Sequence, residues 1–221
     1  TYIEQDAQFY NFPIHRDDVS RMPEKDQIEK ELTRTHGAEA AQNLEEYWLA
    51  SVGPTLYNKM VKGYTEKMWP LVDGCHQIDD FMWSPKGVAL KEGPRAAWDT
   101  AISAYPLALN GYDDYFDIST ADCRVLLNTT IEDYDVENKR VIIEGNSHYF
   151  DLIVSTISPD TLMKNTYGEL PFIGREFLKI VLPVEFAFPE NVYFVYYAGD
   201  EPITRAVEYK KFSQYKSTST F

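Results

Sequence analysis

The hydrophobic pattern of the chain changes its period near residue 105. Residues 37–53, GAEAAQNLEEYWLASVG, carry apolar groups at helical spacing between two glycines. The next segment, PTLYNKMVKG at residues 54–63, continues that spacing from a proline to a closing glycine. Farther along, CRVLLNTTIEDYD and KRVIIEG flank Val136-Glu137-Asn138, which predicts a β-hairpin. The pattern therefore predicts a helical part followed by a strand-rich part.

Three other segments have the composition of strands. Residues Tyr2 to Phe12 contain alternating aromatic residues, FDLIVSTISPD is an apolar run ended by Ser158-Pro159, and VYFVYYAGDEPITRAVEYKKF predicts two extended segments around a Gly-Asp turn. We therefore expect an α+β fold in which a helical lobe, residues 15–104, is inserted into a mixed or antiparallel β-sheet domain formed by residues 1–14 and 105–221. Glycines, prolines and basic residues in SPKGVALKEGPR predict a mobile loop at residues 84–95.

The charge of the chain restricts its partners. The formal net charge of −14 disfavours a nucleic-acid backbone, which needs clustered Lys and Arg. One or two arginines can nevertheless hold a small diphosphate on an acidic protein. The sixteen Tyr and four Trp indicate a surface or cleft that binds rings, although core filling is the favoured explanation for any single one of them.

The positions of the cysteines and glycines further restrict the kinds of site that the chain can contain. Cys75 and Cys123 are the only cysteines, and neither has partners at metal-ligand spacing, so we expect free thiols and no metal site. No leader peptide or long apolar run is seen, so we expect a cytoplasmic protein without a membrane partner. No two glycines are separated by a single residue, which excludes a G-x-G-x-x-G fingerprint within these residues, and a P-loop is also absent. Because the chain starts within a strand-like segment without Met, we expect it to be part of something longer.

Four motifs together resemble one family. They are QFYNFP (residues 8–13), GYTEKMW (63–69), ELPFIGREF (169–177) and AGDEPITRAVEYKKF (198–212). In this order and spacing they are similar to UDP-galactopyranose mutases, flavoenzymes that interconvert pyranose and furanose forms of a UDP-linked sugar. The resemblance covers most of the chain but corresponds to the family's middle portion, so it implies a fragment of a flavoprotein that lacks the FAD-binding fingerprint.

The resemblance also implies a mechanism and a cofactor. No side chain would be the catalytic nucleophile, because N5 of reduced FAD attacks the anomeric carbon while the protein binds and orients the UDP-sugar. Such isomerases serve polysaccharide biosynthesis. We expect the isolated chain neither to hold FAD tightly nor to turn over substrate, and a homo-oligomer is left open.

The resemblance implies roles for the aromatic motif and for one arginine. Tyr64 and Trp69 would line the uridine pocket, since uracil stacks on aromatic faces; the alternative is that both rings close the core of the lobe. Arg205 is the best candidate for binding the UDP diphosphate or the flavin pyrophosphate, and the alternative is a structural pair with Glu208. If the segment is extended, Arg205 and Tyr209 share one face and Glu208 lies on the other.

Further candidates lie in weaker motifs. Arg175 follows a glycine that frees the backbone to present it to a diphosphate, and Tyr112 and Tyr115 could donate hydrogen bonds to phosphate or sugar. All the substrate-binding candidates are Tyr64, Trp69, Tyr112, Tyr115, Arg175, Arg205, Glu208 and Tyr209. In the predicted loop, Lys86, Lys91 and Arg95 are the candidates for a cation that closes on the diphosphate, and a solvated loop without a ligand role is the alternative.

Three other functions remain alternatives, the first because the sequence departs from the family pattern at two positions. Ile203 stands where the family usually has Tyr, and Tyr209 where it often has His, so a paralogue acting on another UDP-sugar remains an alternative. A flavin amine-oxidase-like oxidoreductase is a second alternative, because its sheet and returning strand have similar patterns. A non-catalytic nucleotide-sugar-binding module is a third, because such a module needs no flavin fingerprint.

Overall fold

The computed structural model describes residues 1–69, 74–79, 89–93, 104–170, 172–213 and 215–220, and its fold is α+β, as the sequence predicts. Its α-helices are α1 (Arg16–Val19), α2 (Lys25–Leu32), α3 (Leu44–Tyr57), α4 (Gly63–Met68), α5 (Asp113–Ser119) and α6 (Pro159–Leu162). A π-helical turn, Asn58–Lys62, joins α3 to α4. Short 3-10 helices lie at Glu4–Asp6, Ala38–Ala40, Cys75–Gln77 and Tyr209–Phe212.

The strands found in the described residues form four small sheets. They are β1 (Tyr2–Ile3), β2 (Gln8–Phe9), β3 (Ile14–His15), β4 (Leu90–Lys91), β5 (Ile131–Asp135), β6 (Arg140–Ile143), β7 (Asn146–Tyr149), β8 (Phe194–Tyr196) and β9 (Arg205–Val207). Strands β1 and β2 pair antiparallel, β3 and β4 parallel, β5, β6 and β7 form an antiparallel meander, and β8 and β9 pair antiparallel. The predicted hairpin around residues 136–138 is therefore confirmed.

By its contacts the chain divides into two compact units, residues 1–111 with 179–221, and residues 112–178. The first unit contains the helices α1 to α4 together with β8 and β9, and the second contains the β5–β7 meander. The domain boundaries expected from the change in hydrophobic period stay a prediction. No helix in the described ranges has the length and apolar character needed to cross a bilayer.

The N-terminal segment reverses direction where the sequence predicts one continuous strand. Residues Glu4–Asp6 form a 3-10 turn, and Ala7 adopts a left-handed conformation with φ of 50°. The turn is held by the buried carboxylate of Asp6, which accepts hydrogen bonds from Lys59 Nζ at 2.7 and 2.8 Å and from the Tyr10 hydroxyl at 2.7 Å. A buried charge is tolerated only when it is paired in this way. The aromatic alternation thus belongs to a hairpin tied to the π-helical turn.

A break inside α3 separates the two helical patterns seen in the sequence. Gly53 has φ of 81° and ψ of 168°, which is not helical, and Pro54 follows it. The carboxylate of Glu31 accepts hydrogen bonds from Thr55 N at 2.9 Å and from the Thr55 hydroxyl at 2.8 Å, so it caps the helical turns that begin again after the break. The predicted start at Pro54 therefore corresponds to a real change in backbone direction.

The predicted helix end at Gly63 is wrong. The residue has helical dihedrals and is the first residue of α4. A Cβ added at Gly63 would lie 2.2 Å from the carbonyl oxygen of Ala198, which follows β8. The glycine is therefore needed for close approach between two backbones and not for ending a helix. A glycine that ends a helix and a glycine that permits a close backbone contact look the same in the sequence.

The apolar run FDLIVSTISPD is also not a strand. No strand is found between residues 150 and 158, and Leu152 and Val154 are 74% and 83% exposed. A strand needs a neighbour for its backbone hydrogen bonds, and no other described segment supplies one here. Pro159 instead begins α6, a position that suits its fixed φ.

The core of the first unit lies between the helices and the N-terminal strands. Its buried residues include Ile14, Val19, Met22, Ile28, Val52, Leu56, Tyr57, Met60 and Val61. Tyr64, Phe12 and Trp48 pack against this cluster while remaining partly exposed. The rings of the recognised motifs therefore lie at the edge of the core.

We predict that Gly63→Ala destabilises the protein by roughly 1–3 kcal/mol, because the new methyl group meets a backbone carbonyl that cannot move independently of β8. At an ordinary helical position the same change would stabilise the protein by up to about 1 kcal/mol. Urea unfolding followed by far-UV circular dichroism measures the difference. Gly174→Ala is the matched control, since no atom lies within 4 Å of its added Cβ. A Gly63→Ala variant as stable as the parent would contradict the close approach.

Candidate functional site

The site is built on the contact between α4 and the segment that contains β8 and β9. Besides the approach of Gly63 to Ala198, Lys67 Nζ of α4 donates hydrogen bonds to the carbonyl oxygens of Glu201 at 3.0 Å and Ile203 at 3.1 Å. The Glu201 carboxylate lies 3.6 Å from the same ammonium group. Two motifs that are more than a hundred residues apart in the sequence, GYTEKMW and AGDEPITRAVEYKKF, are thereby fixed to each other.

Tyr196, the last residue of β8, lies at the centre of this contact. The ring of Tyr64 meets it edge to face, with ring centroids 5.0 Å apart and an interplanar angle of 77°. The ring of Phe12, from the motif QFYNFP, meets it similarly at 5.7 Å and 68°. Such edge-to-face arrangements are the favoured geometry for aromatic pairs. Two motifs that are far apart in the sequence, QFYNFP and GYTEKMW, therefore each place a ring against Tyr196.

Arg205 lies directly opposite Tyr196 across the two-stranded sheet. The register pairs the two residues, and the guanidinium carbon of Arg205 lies 5.3 Å from the centre of the Tyr196 ring. This distance is within the range of a cation–π contact. Burial raises the pKa of the Tyr196 hydroxyl, and the nearby guanidinium acts in the opposite direction. Arg205 itself is exposed, and within the described residues no carboxylate lies at ion-pairing distance from it.

Trp69 ends α4, and its backbone N–H donates to Thr65 O at 3.0 Å. It is 45% exposed, so its indole is accessible to solvent and does not fill the core. Tyr64, five residues earlier, is half-buried against Tyr196. The two aromatic residues therefore differ, because Trp69 is exposed to solvent whereas Tyr64 packs against the ring of Tyr196.

Glu208 does not pair with Arg205. Its carboxylate is 2% exposed and accepts hydrogen bonds from the backbone N–H groups of Ala187 at 2.8 Å and Phe188 at 3.0 Å. The Thr220 hydroxyl also donates to it, and Lys211 is its ionic partner at 3.4 Å. Burial acts to raise the pKa of Glu208, but these hydrogen bonds outweigh it, so the pKa is lowered overall. Glu208 thus organises the chain around residues 187, 188 and 220.

The remaining candidates lie on other elements of the chain. Tyr209 is 52% exposed and begins a 3-10 helix, so β9 ends at Val207 and the expected extended segment does not reach it. Tyr112, Tyr115 and Arg175 are exposed members of the second unit. Lys91 is buried in β4, where it pairs with His15 of β3, and therefore does not lie in a loop. Lys86 and Arg95 lie outside the described residues.

A surface cavity of about 750 Å³ lies elsewhere in the first unit. It is lined by Phe186, Phe188, Glu190, Lys210, Lys211, Ser213, Tyr215 and Lys216. Lys210 donates to the carbonyl oxygens of Glu185 and Ser217, and Lys211 donates to those of Phe188, Pro189 and Val192. These two ammonium groups are therefore used to hold the protein backbone and are poorly placed to bind an anion.

The residues that sequence reasoning missed are Tyr196 and Lys67. Tyr196 was one of several tyrosines in YFVYYAGD, and nothing in that alternation distinguishes it. Its pairing with Arg205 depends on the path of residues 197–204, which is too long for a two-residue turn to set the register. Lys67 could have been found only by knowing that α4 packs on the turn before β9. In the described residues, no cluster of His, Cys, Asp and Glu could hold a metal ion.

The rings of Tyr64 and Phe12 and the exposed guanidinium of Arg205, which has no carboxylate partner among the described residues, thus meet at the Tyr196 ring of this α+β protein. Aromatic rings and a guanidinium are the kinds of group that suit a flat, anionic small molecule. The sequence model of a family described as UDP-galactopyranose mutase matches residues 59–221. The chain therefore belongs to the UDP-galactopyranose mutase family, and a mutase is an enzyme of the isomerase kind. The comparison with curated proteins gave no significant match.

We predict that Glu208→Gln lowers the free energy of unfolding at pH 7 by roughly 1–3 kcal/mol, because an amide NH₂ would replace an acceptor among three donors. The folded-state pKa of Glu208 is depressed, so its stabilising contribution is present above the unfolded pKa of about 4.3 and is lost as the pH falls through the folded value. The difference between parent and variant should therefore shrink as the pH falls from 7 toward 3. Urea unfolding across this range measures it, with Glu190→Gln, an exposed site, as the control. A difference that stays constant with pH would refute the assignment.

Proposed function

We propose that the protein containing this chain interconverts the pyranose and furanose forms of a UDP-sugar, and that the surface formed by α4, β8 and β9 binds the UDP part. Family membership supports the reaction class. The observation that carries the assignment of the site is the meeting of Tyr64 and Arg205 on the ring of Tyr196, with Trp69 exposed at the end of the same helix. These residues come from motifs far apart in the sequence.

The chemistry of each group fits one part of UDP. The open face of Trp69 offers a stacking surface for uracil, an interaction worth roughly 1–3 kcal/mol per base. The guanidinium of Arg205 has a fork of donors that matches phosphate oxygens, and it has no carboxylate competitor among the described residues. In a mutase reaction the diphosphate gains negative charge as the bond to the sugar breaks, so a fixed cation there stabilises the transition state. Arg205 therefore both binds the diphosphate and raises the rate at which its bond to the sugar breaks.

The other candidate residues have different roles in the proposed function. Arg175, Tyr112, Tyr115 and Tyr209 are exposed and accessible to a diphosphate or sugar. The carboxylate of Glu208 is already engaged by three donors, so its part is to order the segment that follows β9. Lys91, buried beside the N-terminal strand, supports the fold around residues 14 and 15.

The proposed cofactor is FAD, bound by the protein that contains this chain. The described residues do not form a dinucleotide cradle: the space beside Gly63 is filled by Ala198 and that beside Gly53 by Glu31, and no G-x-G-x-x-G is present. We therefore assign no residue of this chain to FAD and derive no step through it. The proposal for this chain concerns the nucleotide part of the substrate.

We predict that Trp69→Ala weakens the binding of UDP about 5- to 100-fold, as expected for the loss of one base-stacking surface. Trp69→Phe keeps a flat face and should lose much less. Isothermal titration calorimetry with UDP measures both variants against the parent. Tyr215→Ala is the control, because Tyr215 is also an exposed aromatic residue but lines the separate cavity.

Three outcomes would contradict this assignment. Equal UDP affinity in Trp69→Ala and the parent would remove Trp69 from the site. A loss of affinity confined to Tyr215→Ala would move the nucleotide to the separate cavity. Oxidation of an amine that UDP does not inhibit would favour an oxidoreductase over a mutase.

A further inference from the structure

We propose that Tyr196 is a positioning residue, which holds the guanidinium of Arg205 where it can meet the diphosphate. This inference rests on the proposed function for the role of Arg205, but the contact on which it depends is present without any ligand. The two residues face each other across β8 and β9, with the guanidinium carbon 5.3 Å from the ring centre. The ring therefore offers a flat, electron-rich surface to a long cationic side chain.

The Tyr196 ring is itself held in place from several directions. Edge-to-face contacts with Tyr64, Phe12 and Phe194 bring ring centroids to 5.0, 5.7 and 5.2 Å, with interplanar angles of 77°, 68° and 84°. Tyr64 and Phe12 pack in turn against the buried core. A ring fixed in this way cannot rotate freely, so it is a rigid support.

Arg205 has the opposite character, because it is exposed and, among the described residues, lacks a carboxylate partner. A free arginine side chain samples many rotamers, and ordering it on binding opposes affinity. Contact with the Tyr196 ring removes part of that cost before the ligand arrives. The guanidinium edges remain available, since a cation lying over a ring keeps its N–H donors at the periphery.

This arrangement predicts an effect on one part of the nucleotide only. Loss of the Tyr196 ring should weaken binding through the diphosphate, because Arg205 becomes disordered. Stacking on Trp69 should persist, because Trp69 is placed by α4, whose contact with the turn before β9 depends on Gly63 and Lys67. A purely structural role for Tyr196 would weaken all ligands equally.

The test compares Tyr196→Leu, Tyr196→Phe and Arg205→Met in the protein that contains this chain, by calorimetric titration with UDP and competition by uridine. We expect Tyr196→Leu to weaken UDP binding about 3- to 10-fold, with uridine binding changed less than twofold. Tyr196→Phe, which keeps the ring, should bind both like the parent. In the Arg205→Met background, Tyr196→Leu should have no further effect on UDP, because the two residues act as a unit.

A second measurement needs no ligand. The Nε–H of Arg205 gives a resolvable ¹⁵N resonance whose heteronuclear NOE reports side-chain order. We expect the NOE to fall in Tyr196→Leu and to stay high in Tyr196→Phe. If the leucine variant fails to fold by circular dichroism, Tyr196→Met replaces it in both measurements.

The outcomes separate this inference from the proposed function. Unchanged Arg205 order in the ring-deleted variant, equal weakening of UDP and uridine, or an undiminished effect in the Arg205→Met background would each overturn the positioning role. A parent protein that does not bind UDP, or an Arg205→Met variant with parental UDP affinity, would overturn the proposed function, whatever the NOE shows.

Discussion

The site depends on a contact between two backbones, the start of α4 and the carbonyl of Ala198. Only glycine at position 63 permits it, because any side chain would place a carbon 2.2 Å from that oxygen. Once the backbones are this close, Lys67 reaches the carbonyls of Glu201 and Ile203, and Tyr64 reaches the ring of Tyr196. The contacts of α4 with the β8–β9 segment follow from this approach. The motif GYTEKMW therefore encodes a docking surface for the segment between β8 and β9.

Lys67 and Lys211 compensate the charges of two acidic residues that are close to Arg205 in the sequence. Burial lowers the pKa of Lys67, and the carboxylate of Glu201 opposes that shift, so the pKa is lowered overall. The ammonium group is still held by two carbonyl oxygens and by Glu201 at 3.6 Å. Glu208 is similarly engaged by backbone donors and Lys211. The two nearest acidic residues along the chain to Arg205, Glu201 and Glu208, each have a lysine of their own, which leaves the guanidinium available for an anion.

The sequence predicted the elements better than their contacts. The α+β class, the hairpin around residues 136–138 and the break at Gly53 and Pro54 were all readable, because they depend on local periodicity and on backbone preferences of Gly and Pro. The end at Gly63 and the strand at residues 150–158 were wrong, because one glycine serves a distant contact and an apolar run needs a partner strand. Arg205 and the aromatic motif could be chosen as candidates from family resemblance. The part played by Tyr196 could not, because it depends on a register set across an irregular turn.

The net negative charge of the chain contrasts with the local positive charge of Arg205. A chain of net charge −14 repels polyanions at long range, but that field is screened beyond about 10 Å at ordinary ionic strength. Under the proposed function, a small diphosphate at the surface would meet the nearer charge of Arg205, because Glu201 and Glu208 already have lysine partners. Under the same proposal, Trp69 would favour a diphosphate that carries a flat ring, since a ligand without such a ring gains nothing from stacking. Trp69 ends α4 and Arg205 begins β9, so the proposed discrimination depends on the packing of α4 on the turn that precedes β9.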